Sequence, residues 1–380
     1  MNSKGRIEIT FKKNKTDKIP IHHRCFSSKV ASFILGREAF VGGGIQQWRE
    51  AKSLWENWHE EYLERSFKDA IELALVTNQD IIRPSYWRYN LKPTKKIDEY
   101  TYIYECGDEK DWKILRYDPV SEQTNIFYYK NREITIEEIK KEVEEGDKRV
   151  SLYKPTEDDF YFSIKAQKIL GEEYVVEVGG ASVGIPIREA NIWFEIMIID
   201  PGIVKSFINQ QVEIARKNIE FLTRYGFKYF FGGGDFCYDK GPMFSPKLLK
   251  ELILPGLKSV SEICHKFNSY HLYASDGNLW PVSDIIFKES LIDGYYEIDR
   301  RAGMDMEKLR KLYPELTLLG NISSWTLSRG TEDDVKREVL SCIEIAKKYG
   351  GVIVGVSNSI VPDTPVKNVE ILLETIEKER

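Results

Sequence analysis

What most constrains this chain is a rhythm in its second half. Short β-branched and aromatic runs, EYVVEVGG (173–180), FKYFFGGGD (227–235), YHLYAS (270–275), DGYYEID (293–299), LTLLGNI (316–322) and VIVGVSNS (352–359), alternate with longer segments of helical periodicity. The latter include DPGIVKSFINQQVEIARKNIEFLTRYG, SPKLLKELILPGLKSVSEICHKFN, MDMEKLRKLYP, TEDDVKREVLSCIEIAKKYG and TPVKNVEILLETIEKE. Such alternation demands a parallel sheet, because each helix is the crossover that carries the chain back to the same edge. Six units fill residues 173–380, and the apolar run DIIRP (80–84) extends the count toward eight. Nearly every run ends in glycine or a polar residue. An open sheet would use such ends only at one switch point, whereas a barrel gathers all of them round one mouth. The fold class expected is therefore α/β, a TIM (β/α)8 barrel.

The first half reads differently. WREAKSLWENWHEEYLERSFKDAIELALVT, from Trp48 to Thr77, returns apolar residues every three or four positions and predicts one or two helices. Residues 97–134 are aromatic, β-branched and punctuated by turn residues, which predicts a β-hairpin insertion. ITIEEIKKEVEEG after it predicts a helix. The reading is one barrel domain over 1–380, with an N-terminal extension and helices in 1–79, the insertion at 97–134, and the best-defined β/α units in 173–380.

Composition narrows the function classes. Apolar residues make up 42% and charged residues 30%, as in soluble globular proteins. With 55 basic against 60 acidic residues, the formal net charge is −5, so no basic footprint for nucleic acid or anionic membrane exists. No run of about 18 apolar residues predicts a membrane span. The N-terminus is too charged for a signal peptide. Five scattered cysteines, never paired as C-x-x-C, predict neither a disulfide framework nor a zinc ribbon, and a reducing cytoplasm is the expected location.

Chemistry concentrates at the strand ends: Asp235 after three glycines, His271, Asp276 and Asn278, Glu297, Asn321, and Ser357 with Asn358. Each interval between them fits one β/α unit. A closed barrel would bring these carboxylates, amides and hydroxyls to one cavity suited to proton handling and hydrogen-bond recognition of a polar organic ligand. Asp235, Asp276 and Glu297 are the catalytic candidates. His271, Asn278, Asn321, Tyr238, Ser357 and Asn358 are the substrate-binding candidates. Plainer readings stand beside these. Asp235 serves equally as a helix cap, Asp276-Gly277-Asn278 as a turn, and His271, inside its strand, as a hydrogen-bonded core histidine. His22-His23-Arg24 reads as a solvated cluster or a ligand site. His271 with Asp235, Cys237 or Glu297 lacks metal-ligand spacing, so no metal is assigned. Cys237 and Cys264 have no histidine neighbour to make them nucleophiles. No dinucleotide or P-loop glycine motif occurs.

GGGDFCYDKGPMFSPKLLKELILPGLKSV (232–260), HLYASDGN (271–278), AGMDMEKLRKLYPELTLLGNIS (302–323), GGVIVGVSNSIVPDTPVKNVEILLETI (350–376) and Asp200-Pro201 before its long helix resemble the uroporphyrinogen decarboxylase superfamily. The resemblance covers residues 175–380 well and the first half loosely. It implies a TIM barrel and one of two chemistries, porphyrinogen decarboxylation or methyl transfer involving a corrinoid protein. The decarboxylases carry an arginine-rich N-terminal motif and G-H-G-I on the last strand; here IHHRCFSSKV has only Arg24, and the last strand reads Val356-Ser357-Asn358-Ser359-Ile360. Without those arginines several substrate carboxylates would be buried unpaired. The thiol-methylating members carry zinc on H-x-C and a later cysteine. Here Leu272 and Tyr273 follow His271, and Ser357 or a neighbour occupies the last-strand position, so zinc is not expected.

What the resemblance leaves is a corrinoid-linked methyltransferase, with a methoxy or methylamine compound or tetrahydrofolate as the other partner. A decarboxylase of a small or porphyrin-like acid is the alternative. The chain has no D-x-H-x-x-G, so the corrinoid is expected on a separate partner protein. No nucleic-acid or membrane partner is expected, and the oligomeric state, a homodimer included, is left open.

Overall fold

The computed structural model describes residues 1–130, 133–187 and 190–380. Eight parallel strands close a barrel: β1 (Cys25–Phe26, bonded to its neighbours from Ile21 onward), β2 (Ile81–Ile82), β3 (Val175–Val176), β4 (Tyr229–Gly233), β5 (Tyr270–Ala274), β6 (Gly294–Tyr296), β7 (Thr317–Leu319) and β8 (Val352–Ile353). Strands β4 to β8 form a continuous sheet in chain order, and β2 pairs with β3. Single bridges complete the ring. Val178 pairs with Phe230, Ile21 with Val354, and the Asp80 N–H donates to Ile21 O at 2.8 Å. The strands are short because each tilts across its neighbours over only a few residues before a loop or helix begins.

Alternation along the strands decides what lies inside. Ile81, Val175, Tyr229, Phe231, Leu272, Ala274, Tyr296, Leu319 and Ile353 fill the barrel. Their odd-numbered or even-numbered neighbours pack outward against the helices. The helix Ser3–Phe11 plugs the N-terminal end, with Phe11 4.9 Å from Tyr229 and 4.8 Å from Tyr270. No expectation from sequence included that helix. Close strand approach needs two of the glycines in particular: a Cβ on Gly355 would overlap the His22 carbonyl, and one on Gly232 the Ala181 carbonyl. The Gly232-Gly233-Gly234 run therefore serves packing.

The predicted helical stretch at 48–77 is two helices, Gly44–Glu56 and His59–Val76, separated at Asn57 with φ 61°. Between β2 and β3 the insertion is more than the expected hairpin: Lys95–Lys96, Thr101–Tyr104, Lys113–Asp118 and Gln123–Tyr128 make a four-stranded antiparallel sheet. Residues 131–132 at its end lie outside the described residues. One hairpin has no apolar face large enough to stand alone. Four strands do, and they bury Tyr102, Tyr104 and Leu115 against Ala51, with Trp48 stacked on Tyr117 at 4.9 Å. The helix Ile136–Leu152 follows as expected, opened by a Thr135–Glu138 capping box. Among the described residues no helix is long and apolar enough to cross a membrane.

Candidate active site

The C-terminal mouth of the barrel holds two neighbouring cavities, of about 830 and 530 Å³. Arg24, Arg83, Glu177, Asp235, Tyr296 and Glu297 line the larger one; Asp276, Arg300, Trp325, Ser357 and Asn358 are among the residues lining the smaller. Between them Asp235, Asp276 and Glu297 each turn one carboxylate oxygen to a common point, with those oxygens within 4.8 Å of one another. They come from the loops after β4, β5 and β6, so barrel closure brings together the three residues singled out as catalytic candidates.

Their surroundings differ. Glu297 sits at φ 62°, a left-handed conformation that a side-chain-bearing residue holds only when its surroundings impose it. It accepts from Arg24 Nε at 2.8 Å. Asp235 Oδ1 accepts from the Asp276 N–H at 3.1 Å. Asp276 has an amide instead of a cation: Asn358 Nδ2 donates to its Oδ2 at 2.9 Å. Burial, then the charges of Glu297, Asp235 and Asp299, push the Asp276 carboxyl up to about 7, against the weaker lowering by Asn358. At neutral pH this group both holds and releases a proton.

Three oxygen donors at this spacing also make a set that a hard divalent cation accepts, a possibility their separation in sequence conceals. A thiolate zinc site does not fit. Among the described residues no cysteine joins the three carboxylates; Cys25, Cys237, Cys264 and Cys342 are buried, and burial, then the Asp235 charge, pushes the Cys237 thiol up to about 12.

Beneath the mouth lies a charged layer that takes in the His22-His23-Arg24 cluster, with His22 and His23 buried and Arg24 largely so rather than solvated, and whose other members, Glu177 and Arg83, sequence reasoning missed. Arg24 Nη1 donates to Glu177 Oε1 at 2.7 Å, Arg83 Nε lies 3.7 Å from the same oxygen, and His22 Nε2 lies 3.4 Å from Oε2. Burial alone would raise the Glu177 carboxyl, but Arg24 and then Arg83 hold it well below the usual carboxylate range. The signal was alternation: Glu177 shares a face with the inward Val175, Arg83 with Ile81.

Alternation also corrects the reading of His271. Leu272 and Ala274 face the barrel interior, so His271 and Tyr273 face the helices. His271 is fully buried, bonded to Ser261 Oγ at 2.9 Å and Ala181 O at 3.1 Å, and contacts no ligand space. Burial pushes it down to about 4.

Asn278 Oδ1 accepts from the Trp280 N–H at 3.1 Å, and Asn278 is not among the residues lining either mouth cavity. Asn321 is buried, donating to Met304 O at 3.1 Å and accepting from Arg300 Nη2 at 3.2 Å, so it positions Arg300 without meeting a ligand itself. Tyr238 stands half-exposed on the rim, in the short hairpin of Cys237–Tyr238 and Gly241–Pro242. Ser357 and Asn358 line the smaller cavity, as expected of them.

This arrangement of barrel, mouth and strand-end acids has a recognisable sequence signature. A profile described as Uroporphyrinogen decarboxylase (URO-D) matches residues 183–379, more than half of the chain. The chain belongs to the URO-D family. Among solved structures, a methyltransferase from Methanosarcina mazei is 16% identical and aligns over 100% of this chain and 99% of its own, with a TM-score of 0.66. That likeness is one of fold, and the alignment spans the N-terminal half as well. A sugar phosphate isomerase/epimerase from Parabacteroides distasonis (11% identical, 57% of this chain and 81% of its own, TM-score 0.36) and a D-allulose 3-epimerase from Methylomonas sp. (13%, 65% and 94%, TM-score 0.36) also match. No curated protein sequence matches the chain.

Proposed function

We propose that this URO-D family member is a methyltransferase that moves a methyl group between a small molecule bound at the barrel mouth and a corrinoid carried by a separate protein. The observation that carries the reading is Asp276, a carboxyl pushed up to about 7 between Asp235 and Glu297, at the junction of two ligand-sized cavities. Breaking a methyl bond to an ether oxygen or a pterin nitrogen leaves an electron pair on that atom, and a positioned acid lowers the barrier by protonating it. Asp276 gives that proton; in the reverse direction it takes it back. The corrinoid supplies the nucleophile that accepts the methyl. Asp235 and Glu297 hold the proton on Asp276 by their charge, and Arg24 anchors Glu297. The rim gives a partner protein something apolar to cover: Trp87, Ile187, Tyr238 and Trp325 are each about half exposed.

Decarboxylation of a polycarboxylate is less well served. Arg24 and Arg83 do face the larger cavity, but Glu177 and Glu297 already neutralise them, which leaves little free cationic charge in that cavity for a substrate with several carboxylates.

Incubation with cob(I)alamin and either methyltetrahydrofolate or a methoxyarene, following the corrinoid spectrum, tests the reading. Conversion to the methylated form is expected with at least one donor. No spectral change with any donor, together with CO₂ release from an acid substrate, would overturn it.

A further inference from the structure

The smaller cavity carries an assignment of its own. Two of its donors, on Arg301 and Ser324, have no acceptor within the described residues. The exposed Arg301 guanidinium sits over the Trp325 ring, 5.0 Å from its centroid, and pairs with no carboxylate among the described residues. Ser324 Oγ is buried and has no hydrogen-bond partner. Arg300 is itself partnered: Nε and Nη2 donate to Asn321, and Nε lies 3.8 Å from Glu338 Oε1, so it is not the cation left for a ligand.

The acids lining the same space are, by contrast, occupied. Asp299 Oδ1 accepts from the N–H groups of Arg301 at 2.9 Å and Ala302 at 3.1 Å, and Asp276 Oδ2 accepts from Asn358. Asp239 is solvated at the rim. The buried Ser324 Oγ is costly without an acceptor unless a ligand supplies one, and the exposed guanidinium fork of Arg301 matches a planar oxyanion. Trp325, 49% exposed, offers a flat apolar surface beside that fork.

We infer that the 530 Å³ cavity binds a small aromatic or heteroaromatic oxyanion, with its carboxylate or phosphoryl group on Arg301 and Ser324 and its ring against Trp325. Asp276 and Asn358 line the same cavity, so the far end of such a molecule meets the acid invoked above. Under the methyltransferase reading, on which this last step rests, the small-molecule partner is therefore a ring-bearing acid whose methylated heteroatom lies away from its anionic group.

Calorimetric titration of the full chain with benzoate, phenyl phosphate, acetate and benzyl alcohol tests the site without any corrinoid present. Benzoate or phenyl phosphate is expected to bind at least about tenfold more tightly than benzyl alcohol. The tighter of the two identifies the anion as carboxylate or phosphoryl. Arg301→Ala should abolish that advantage, and Trp325→Leu should bring benzoate to the level of acetate. Equal binding of acid and alcohol, or acid binding unchanged in Arg301→Ala, would overturn the assignment. Because binding alone is read, a protein that binds the acid yet moves no methyl group would refute the reaction and leave the site standing.

Discussion

Arg24 Nε donates to Glu297 Oε1 at 2.8 Å, joining the first strand of the barrel to the loop after the sixth. The bond separates two carboxylates that lie within reach of each other: Glu297 has an arginine as counter-ion, whereas Asp276 has only the Asn358 amide. Neighbouring acids placed in unlike environments divide acid and anion roles between them.

The first consequence is a pH profile. Asp276 acts as an acid only while protonated, so kcat/KM for transfer from an ether or pterin donor should be flat below about 7 and fall about tenfold per pH unit above it. Asp276→Asn should lower kcat at least about 100-fold and remove that limb. An unchanged profile in the Asn variant would refute the assignment.

The same carboxyl costs stability when ionised. Its folded value, about 7, lies above the ordinary aspartate value of 3.8, so the folded state holds the proton more tightly and stability falls as pH rises from about 4 to about 7. Asp276→Asn should be more stable than the parent at pH 8, by up to about 4 kcal/mol, and equal to it below pH 4. Urea unfolding at the two pH values checks this.

Removing Arg24 leaves the buried Glu177 with only Arg83 at 3.7 Å and His22 at 3.4 Å, and Glu297 without its cation. Arg24→Met should destabilise the fold by about 3 kcal/mol at neutral pH. Glu177 is held below its usual range, so it stabilises the parent above the ordinary glutamate value and that contribution is lost as pH falls through the folded value. The variant should show a shallower acid limb in thermal unfolding followed by circular dichroism.

His271 should behave as a structural residue. His271→Leu leaves Ala181 O and Ser261 Oγ without their partner and should lower stability by about 2 kcal/mol while kcat changes less than about twofold. Burial keeps the ring neutral, its value near 4 against about 6.5 when unfolded, so the parent loses this stabilisation as pH falls below about 6.5 and the Leu variant does not. A collapse of kcat with stability intact would return His271 to the site.

Much of the fold was legible before any coordinates. The β/α rhythm from residue 173 marks β3 to β8, because strand and crossover periodicities are local properties of the chain. The strand that closes the barrel was not. Ile21 to Phe26 is short and polar in places, and only its bonding to Val354, Val356 and Ile360 makes it a strand. The insertion was recognisable as β, yet its four-stranded pairing depends on Trp48 and Ala51 in a helix elsewhere.

For the site, sequence alone determined which residue types stand at the strand ends, and so named Asp235, Asp276 and Glu297, since a turn after each strand is a local event. Only the tertiary structure decided what those residues do. The rise of Asp276 comes from burial and from the charges of Glu297, Asp235 and Asp299, none of them within 20 residues of it in the chain. The outward face of His271 and the inward face of Glu177 likewise follow from which side of a closed sheet became the interior, a choice made when first and last strands met.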